Sequence, residues 1–297
     1  MAADYGIPFE ARRNPETDRL GPPHIAWMSR VGLLSAKNTA PYERMALWEA
    51  AAFAYPDARG EGLAKAVDAV GWMGVLDDWA SATADLDAVQ AVRDGCAAVT
   101  RGEAETDHPL VTAFGSLWER LKNGRSTTWC ERFASDLDLW FEGASEELRQ
   151  RAGGQVITPA SYWTSRYTAC GLEFFAHLAE SATGFETADD YWNSEHRVLL
   201  IRAAVRMVVS VNDIQSADRE ERGGEPHNLV LILQREKSCS REEAVQAVID
   251  GIGEAVDEYT ALERALPDSC TALGTFLRDV TASTVVWGDS SGRYRAG

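Results

Sequence analysis

The sequence has 297 residues, of which 45% are hydrophobic and 25% are charged, and this is enough to bury a large core. Its 46 acidic and 29 basic side chains give a formal net charge of −17. This balance argues against nucleic acid and anionic membranes as partners, because both need a basic surface. A pocket for an anionic phosphate would need clustered arginines or bound cations.

Apolar residues recur at helical spacing along most of the chain, and strand-like alternation is scarce. Glycine and proline punctuate the intervals between these segments. The predicted helices span residues 40–55, 61–80, 108–122, 127–147, 158–182, 188–217, 226–236, 240–265 and 269–287. No repeat or linker divides them, so we predict a single all-α domain over residues 1–297.

The cysteines and the chain start indicate the compartment. Five cysteines are present, and none forms a CxxC pair or has zinc-ligand spacing with a histidine. We predict reduced thiols, as in cytoplasmic proteins. The first 18 residues do not have the pattern of a signal peptide, and no stretch approaches the roughly 20 apolar residues of a membrane span. We therefore expect a soluble, cytoplasmic protein. The five are Cys96, Cys130, Cys170, Cys239 and Cys270.

The first chemical candidate is Asp77-Asp78, which follows the apolar stretch from Trp72 to Leu76. Adjacent carboxylates repel each other unless cations or arginines compensate their charge. Magnesium is a hard ion that binds carboxylate oxygens together with water and substrate phosphate. Taken alone, the pair is more typical of a solvated helix end.

The second candidate lies at the end of segment 196–220, which begins strongly apolar and becomes polar. Asn212, Ser216 and Glu220 are spaced by four residues, which keeps them near one helix face. Amide, hydroxyl and carboxylate oxygens can all bind magnesium. The alternatives are coincidental polar spacing and a core helix whose last turns emerge into solvent.

Scattered arginines are the third candidate, because the planar guanidinium donates two hydrogen bonds to a phosphate at once. Arg166 precedes Ala169 and Cys170, Arg219 stands beside Glu220, and Arg293-Tyr294 lies near the end. Each arginine considered singly is more typical of an exposed surface position.

Together these elements resemble the bacterial class I terpene synthases over nearly the whole chain. Asn212 to Glu220 is similar to the second metal motif of that family, NDxxSxxRE, at every defining position. Asp77-Asp78 resembles its aspartate-rich motif. Arg166 lies 46 positions before Asn212, as does the diphosphate-sensing arginine of the family. Arg293-Tyr294 resembles its C-terminal Arg-Tyr pair.

The resemblance implies an antiparallel helical barrel around an apolar cavity, with three Mg²⁺ ions held against a prenyl diphosphate. The implied metal ligands are Asp77, Asn212, Ser216 and Glu220. The implied diphosphate donors are Arg166, Arg219, Arg293 and Tyr294. Together with Arg166, the metal ligands form the implied catalytic set. Asp78 is expected to pair with an arginine, for which Arg166 is the candidate.

The cavity must keep a carbocation away from water, and aromatic faces can stabilise it. Trp72, Phe174, Phe175 and Trp287 are candidate lining residues, although any single aromatic is more typical of the core. Cys170 is a further lining candidate, and with Ala169 it resembles the helix break of the family. Gly74-Val75-Leu76 contains no aromatic, which predicts a roomier cavity if these residues face inward.

One position departs from the family pattern. The aspartate-rich motif usually reads DDxxD or DDxxE, but its fifth position here is Ser81. Asp85 would substitute only if the helix is irregular there. We expect Asp77 still to serve as a ligand, with altered metal affinity or product fidelity as the consequence.

The substrate remains open on sequence grounds, with a C15 diphosphate favoured and C20 a close second. The product is expected to be a cyclic terpene hydrocarbon or alcohol. One alternative is a chain-elongating prenyl diphosphate synthase, which would need a second aspartate-rich motif. Another is a helical protein that binds prenyl diphosphates without turnover, an interpretation that Ser81 favours. A homodimer is the default expectation for the assembly.

Overall fold

The computed structural model describes residues 4–103 and 107–294, and within these ranges the chain is all α-helical with no β-strand. The described helices are α1 (Gly21–Arg30), α2 (Thr39–Met45), α3 (Leu47–Ala54), α4 (Gly60–Thr83), α5 (Leu86–Arg101), α6 (Pro109–Leu121), α7 (Thr127–Ala152), α8 (Pro159–Ala169), α9 (Leu172–Thr183), α10 (Asp189–Trp192), α11 (Glu195–Gly223), α12 (Leu229–Lys237), α13 (Arg241–Arg264) and α14 (Thr271–Ser290). Single-turn 3₁₀ helices occupy Thr17–Arg19 and Asp268–Cys270. The all-α prediction is confirmed.

Two long helices form the centre of the fold. From Leu63 to Met73 every residue of α4 except Ala64 is buried, so this helix is enclosed by protein rather than lying on the surface. It packs against α1, α3, α6, α7 and α9. The second central helix, α11, packs against α12, α13 and α14, and α14 returns to α3. The first and last parts of the chain therefore pack together.

Three segments that the sequence predicts as single helices are divided. Segment 40–55 breaks at Ala46, whose φ of 49° is left-handed. Segment 158–182 breaks at Gly171, with a φ of +68°, directly after Ala169 and Cys170. Residues in this conformation cannot continue a right-handed helix. Segment 188–217 is divided by Ser194, whose hydroxyl accepts from the Arg197 N–H at 3.2 Å and caps α11.

Sequence periodicity missed two helices, α1 and α5. The first carries Pro22 and Pro23 in its opening turn, which is a common helix start. The second is capped by Asp85, whose carboxylate accepts from the backbone N–H of Asp87 at 3.0 Å and of Ala88 at 3.2 Å. Both helices are marked by residues at their first turn, and the spacing of apolar residues does not detect such signals.

Within the described ranges, no helix combines the length and apolarity needed to cross a membrane. All five cysteines are free thiols.

Candidate active site

A cavity of about 520 Å³ lies between α3, α4, α7, α8, α9, α11 and α14. Its charged residues come mainly from the C-terminal turns of α4, α7 and α11. Those side chains are Asp77, Asp78, Glu147, Arg151, Arg166, Arg219, Glu220, Glu225 and Arg293. The rest of the lining is largely apolar and includes Leu47, Val70, Met73, Phe175, Val209 and Trp287. The cavity thus combines an ionic region with an apolar one.

The first ionic wall is Asp77-Asp78, near the end of α4. Arg293 donates to Asp78 through Nη2 at 2.8 Å and Nη1 at 3.2 Å. The same guanidinium lies 3.9 Å from Asp77. Desolvation raises the pKa of Asp77 to about 6, although Arg293 opposes the shift. Asp78 pairs with an arginine as expected, but the partner is Arg293 and not the candidate Arg166, because the segment after α14 folds back onto α4.

The second wall lies on α11, where Asn212 and Glu220 both line the cavity. Glu220 accepts from Arg219 Nη2 at 3.0 Å and from Asn228 Nδ2 at 2.8 Å. Ser216 lies between them but is fully buried and does not reach the cavity surface. Asn228, the cap of α12, covers its hydroxyl, with Nδ2 at 3.4 Å from Oγ.

The C-terminal pair Arg293-Tyr294 joins the two walls. While Arg293 holds the aspartates of α4, Asn212 donates from Nδ2 to the Tyr294 hydroxyl at 2.5 Å. The Arg219 guanidinium lies over the Tyr294 ring, 5.2 Å from its centroid. Because these two residues are consecutive, the walls must face each other across a short distance.

Arg166, on α8, lines the same cavity and lies 3.5 Å from a carboxylate oxygen of Glu147, measured from Nη1. Glu147 is on α7 and was not singled out in the sequence. The two residues lie 19 positions apart on different helices, so no local pattern connects them. Glu147 neutralises the charge of Arg166 inside the cavity.

Asp213, the second residue of the NDxxSxxRE segment, does not line the cavity and instead holds neighbouring helices in place. It is fully buried and accepts from the Tyr162 hydroxyl at 2.6 Å and the Leu229 N–H at 2.5 Å. Burial raises its pKa to about 7. These bonds fasten α11 to α8 and to the start of α12.

Ser81 lines the cavity where the family motif has an acid. Its backbone carbonyl accepts from Arg151 Nη1 at 3.0 Å, and Arg151 also pairs with Glu225. The helix ends at Thr83, and Asp85 is engaged as the cap of α5. Asp85 therefore does not replace the missing carboxylate, because its oxygen is used to satisfy backbone donors.

The predicted lining residues divide into two groups. Cys170, Phe175 and Trp287 line the cavity, but Trp72 and Phe174 do not, so those two predictions are wrong. Both are buried in the core, where the Trp72 ring centroid lies 6.1 Å from that of Phe174. The Trp72 indole donates to the Leu110 carbonyl at 2.9 Å, on the side of α4 that faces α6.

Trp140 also lines the cavity, although sequence reasoning did not place it there, and so does Tyr294, which the family resemblance implies as a diphosphate donor. Of Gly74-Val75-Leu76, only Gly74 lines it. A Cβ at position 74 would lie 2.7 Å from Leu47 Cδ1. The expected extra space is therefore partly occupied by Leu47, the first residue after the left-handed Ala46.

The donor set determines which cation would fit. In the part of the chain that the structure describes, no three His, Cys, Asp or Glu side chains group closely enough to hold a metal ion. The oxygen donors are instead divided between Asp77 on one wall and Asn212 and Glu220 on the other. Carboxylate and amide oxygens match a hard divalent cation, and ligands on two walls leave room for an anion between them.

Comparison with known proteins points to the same chemistry. The family model described as "Terpene synthase family 2, C-terminal metal binding" matches residues 68–258. The chain is 28% identical to pentalenene synthase from Streptomyces arenae, over 99% of this chain and 93% of that protein. It is also 28% identical to a (2E,6E)-farnesyl diphosphate cyclizing (−)-beta-caryophyllene synthase from Saccharothrix espanaensis, over 98% and 88%.

Among solved structures, the linalool/nerolidol synthase of Streptomyces clavuligerus in complex with 2-fluorogeranyl diphosphate superposes with a TM-score of 0.86. Sequence identity is 25%, and the alignment covers 97% of this chain and 99% of that one. The similarity therefore extends over the whole helical architecture.

Proposed function

Because this chain belongs to terpene synthase family 2 and is a class I terpene synthase, we propose that it ionises farnesyl diphosphate with Mg²⁺ and cyclises the resulting carbocation. One observation carries this proposal: a single cavity has two facing walls of oxygen donors beside an apolar lining. The C15 substrate is supported by the relative whose name specifies cyclization of farnesyl diphosphate. A C20 diphosphate is the second candidate.

The proposed metal ligands are Asp77 on one wall and Asn212, Ser216 and Glu220 on the other. Bound Mg²⁺, for which we propose three ions, would neutralise the diphosphate and stabilise it as a leaving group. For Ser216 to bind Mg²⁺, the side chain of Asn228 must first move away from the Ser216 hydroxyl. The fit rests on oxygen chemistry and on the Arg293-Tyr294 link between the walls.

The proposed diphosphate donors are Arg166, Arg219, Arg293 and Tyr294. In the structure, each of these arginines is paired with a carboxylate, respectively Glu147, Glu220 and Asp78. Binding would exchange these partners for diphosphate oxygens, to which guanidinium groups donate in pairs. These arginines also explain how a protein of net charge −17 accepts an anion.

The apolar lining would fold the prenyl chain and exclude water from the carbocation. Trp140, Phe175 and Trp287 present aromatic rings to the cavity. Such faces stabilise a cation through their negative π surface. We also propose that residues 1–297 form one domain and that the protein acts in the cytoplasm, which its free thiols support.

The deciding experiment is incubation of purified protein with geranyl, farnesyl and geranylgeranyl diphosphates, with and without Mg²⁺, followed by mass spectrometry of extracted products. We expect a cyclic hydrocarbon or alcohol from farnesyl diphosphate only when Mg²⁺ is present. Folded protein that releases no product from any substrate would refute the proposal. Mg²⁺-dependent binding without product would identify a binding protein, and a longer diphosphate formed with isopentenyl diphosphate would identify chain elongation.

A further inference from the structure

Gln215 lies inside the second metal motif, at one of its undefined positions, and contributes nothing to the chemistry described above. Its side chain leaves α11 toward the last turns of α14. The amide Nε2 donates to the Val285 carbonyl at 3.3 Å and to Asp289 Oδ1 at 3.1 Å. It also lies 3.5 Å from the Thr284 carbonyl. One side chain thus ties two helices that line the cavity.

Gly288 is the residue that admits this amide. A Cβ at position 288 would lie 1.9 Å from Gln215 Oε1 and 2.3 Å from Gln215 Cδ. No real contact is that short, so only glycine fits against the amide as it stands. Glycine weakens a helix interior because it loses more backbone entropy than other residues. Its presence in α14 therefore has a packing reason.

The contact between Gln215 and Gly288 lies shortly before Arg293 and Tyr294, the two residues that join the walls. The α14 helix ends at Ser290, and the Gly292 N–H donates to the Arg44 carbonyl at 2.9 Å. Arg293 and Tyr294 follow immediately. A shift of α14 by one residue would rotate its end by about 100° and translate it by about 1.5 Å. Such a shift would move Arg293 away from Asp78.

A second bond holds the same turn, since the Tyr5 hydroxyl donates to Asp289 Oδ1 at 3.2 Å. Asp289 therefore receives donors from the start of the chain and from α11. The end of α14 is fixed from two directions just before the residues that close the cavity.

We propose that Gln215 is a positioning residue, which fixes the register of α14 so that Arg293 and Tyr294 reach both walls. This inference rests on the proposed function, because its effect on turnover passes through the diphosphate donors. Gln215 itself does not line the cavity.

The test is a double-mutant cycle. Gln215→Met keeps the side-chain volume but removes the amide, and it is combined with Arg293→Ala. We expect Gln215→Met alone to lower kcat/KM by about tenfold or more, since displacements near 1 Å can cost up to about a hundredfold. In the Arg293→Ala background it should cost little more, because coupled residues are non-additive. Multiplicative effects, or an unchanged rate in an active enzyme, would overturn the proposal.

The matched control is Gln246→Met, since the amide of Gln246 donates to Asp250 on the exposed face of α13, away from the cavity. Its kcat/KM should equal that of the unaltered protein.

A second readout needs neither metal nor substrate. Hydrogen exchange of peptides covering residues 285–294 should be faster in Gln215→Met and unchanged in Gln246→Met. Equal exchange in all three proteins would refute the proposal that Gln215 fixes the register of α14, whether or not the enzyme is active. If the unaltered protein forms no product while exchange responds as expected, the proposed function fails and the role of Gln215 in fixing α14 stands.

Discussion

Arg293 forms a two-pronged ion pair with Asp78, with guanidinium nitrogens at 2.8 and 3.2 Å from the two carboxylate oxygens. These residues lie 215 positions apart, one near the end of the described chain and one on the central helix α4. The next residue, Tyr294, contacts Asn212 on the opposite wall. Two consecutive residues, Arg293 and Tyr294, therefore connect the two walls of the cavity.

This link leads to the first prediction, for Arg293→Ala. The change removes a diphosphate donor and the partner of Asp78, so kcat/KM should fall roughly a hundredfold, as when one donor to a developing anion is lost. The melting temperature should change little, because partly exposed ion pairs contribute little to stability. Steady-state kinetics and a thermal melt measure both quantities. Arg222→Ala, an exposed arginine near the end of α11, should retain full activity.

The second prediction concerns Asn212→Ala. Loss of the amide removes a proposed metal ligand and the donor to Tyr294, so turnover should fall by at least about a hundredfold. The circular dichroism spectrum should remain that of the folded protein. Asn193→Ala is the control, since that exposed amide donates to the Asp189 carbonyl and does not line the cavity. An Asn212→Ala enzyme with normal turnover would remove this residue from the metal site.

A third prediction uses the departure from the family motif. Ser81→Asp restores a carboxylate at a position that lines the cavity. Since ligand charge tunes the affinity for hard cations, the Mg²⁺ concentration at half-maximal rate should fall a few-fold. Titration of the rate with Mg²⁺ measures this, and Ser81→Asn controls for size without charge. Identical titrations for the aspartate and asparagine variants would mean that Ser81 in place of an acid does not affect Mg²⁺ dependence. Arg151, which contacts position 81, would then neutralise the added carboxylate.

The fourth prediction addresses substrate length. Leu47→Ala removes the side chain that occupies the space beside Gly74, so the ratio of kcat/KM for C20 over C15 substrate should rise about tenfold. The protein should also lose about 2–5 kcal/mol of stability, as for other buried leucines. Leu63→Ala, equally buried on α4 but outside the cavity lining, should lose stability without changing the ratio. A ratio that changes equally in both variants would contradict a role in specificity.

A buried histidine that does not line the cavity supplies the fifth prediction. His177 contacts Glu180 through Nδ1 at 3.0 Å and Asp136 through Nε2 at 2.8 Å. Burial lowers the pKa of His177, but its bonds to the two carboxylates outweigh this and the net shift is upward. Burial raises the pKa of Glu180, yet His177 and Arg132 reverse this and the net shift is downward.

The sign of the pH dependence follows from these directions. The contribution of His177 is complete below its unfolded pKa of about 6.5 and is lost as the pH rises through its folded pKa. That of Glu180 is present above its unfolded pKa of about 4.3 and is lost as the pH falls through its folded pKa. The free energy of unfolding should therefore drop above pH 6.5 more steeply than in His177→Gln. Parallel denaturant titrations from pH 5 to 9 test this, and superimposable slopes would contradict it.

Sequence alone determines those features that depend on the regular spacing of residues along one helix. Asn212 and Glu220 line one cavity because residues eight apart lie near the same helix face, whereas Ser216, between them, is covered by Asn228. The apolar residues of α4 likewise predict a helix that packs into the core, although Lys65 and Asp68 are buried together with them. These features could be predicted because each depends on residues within two or three turns.

Tertiary structure alone decided which residues meet across the cavity. Arg166 with Glu147, Arg293 with Asp78 and Gln215 with Gly288 join separate parts of the chain, whose relative placement depends on the packing of the whole core. The packing of the helices also places Trp72 in the core, on the side of α4 that faces α6, and places Trp140 in the lining of the cavity. A sequence specifies which side of a helix is apolar, but when a helix is buried all round, only its packed neighbours determine which residues face the cavity.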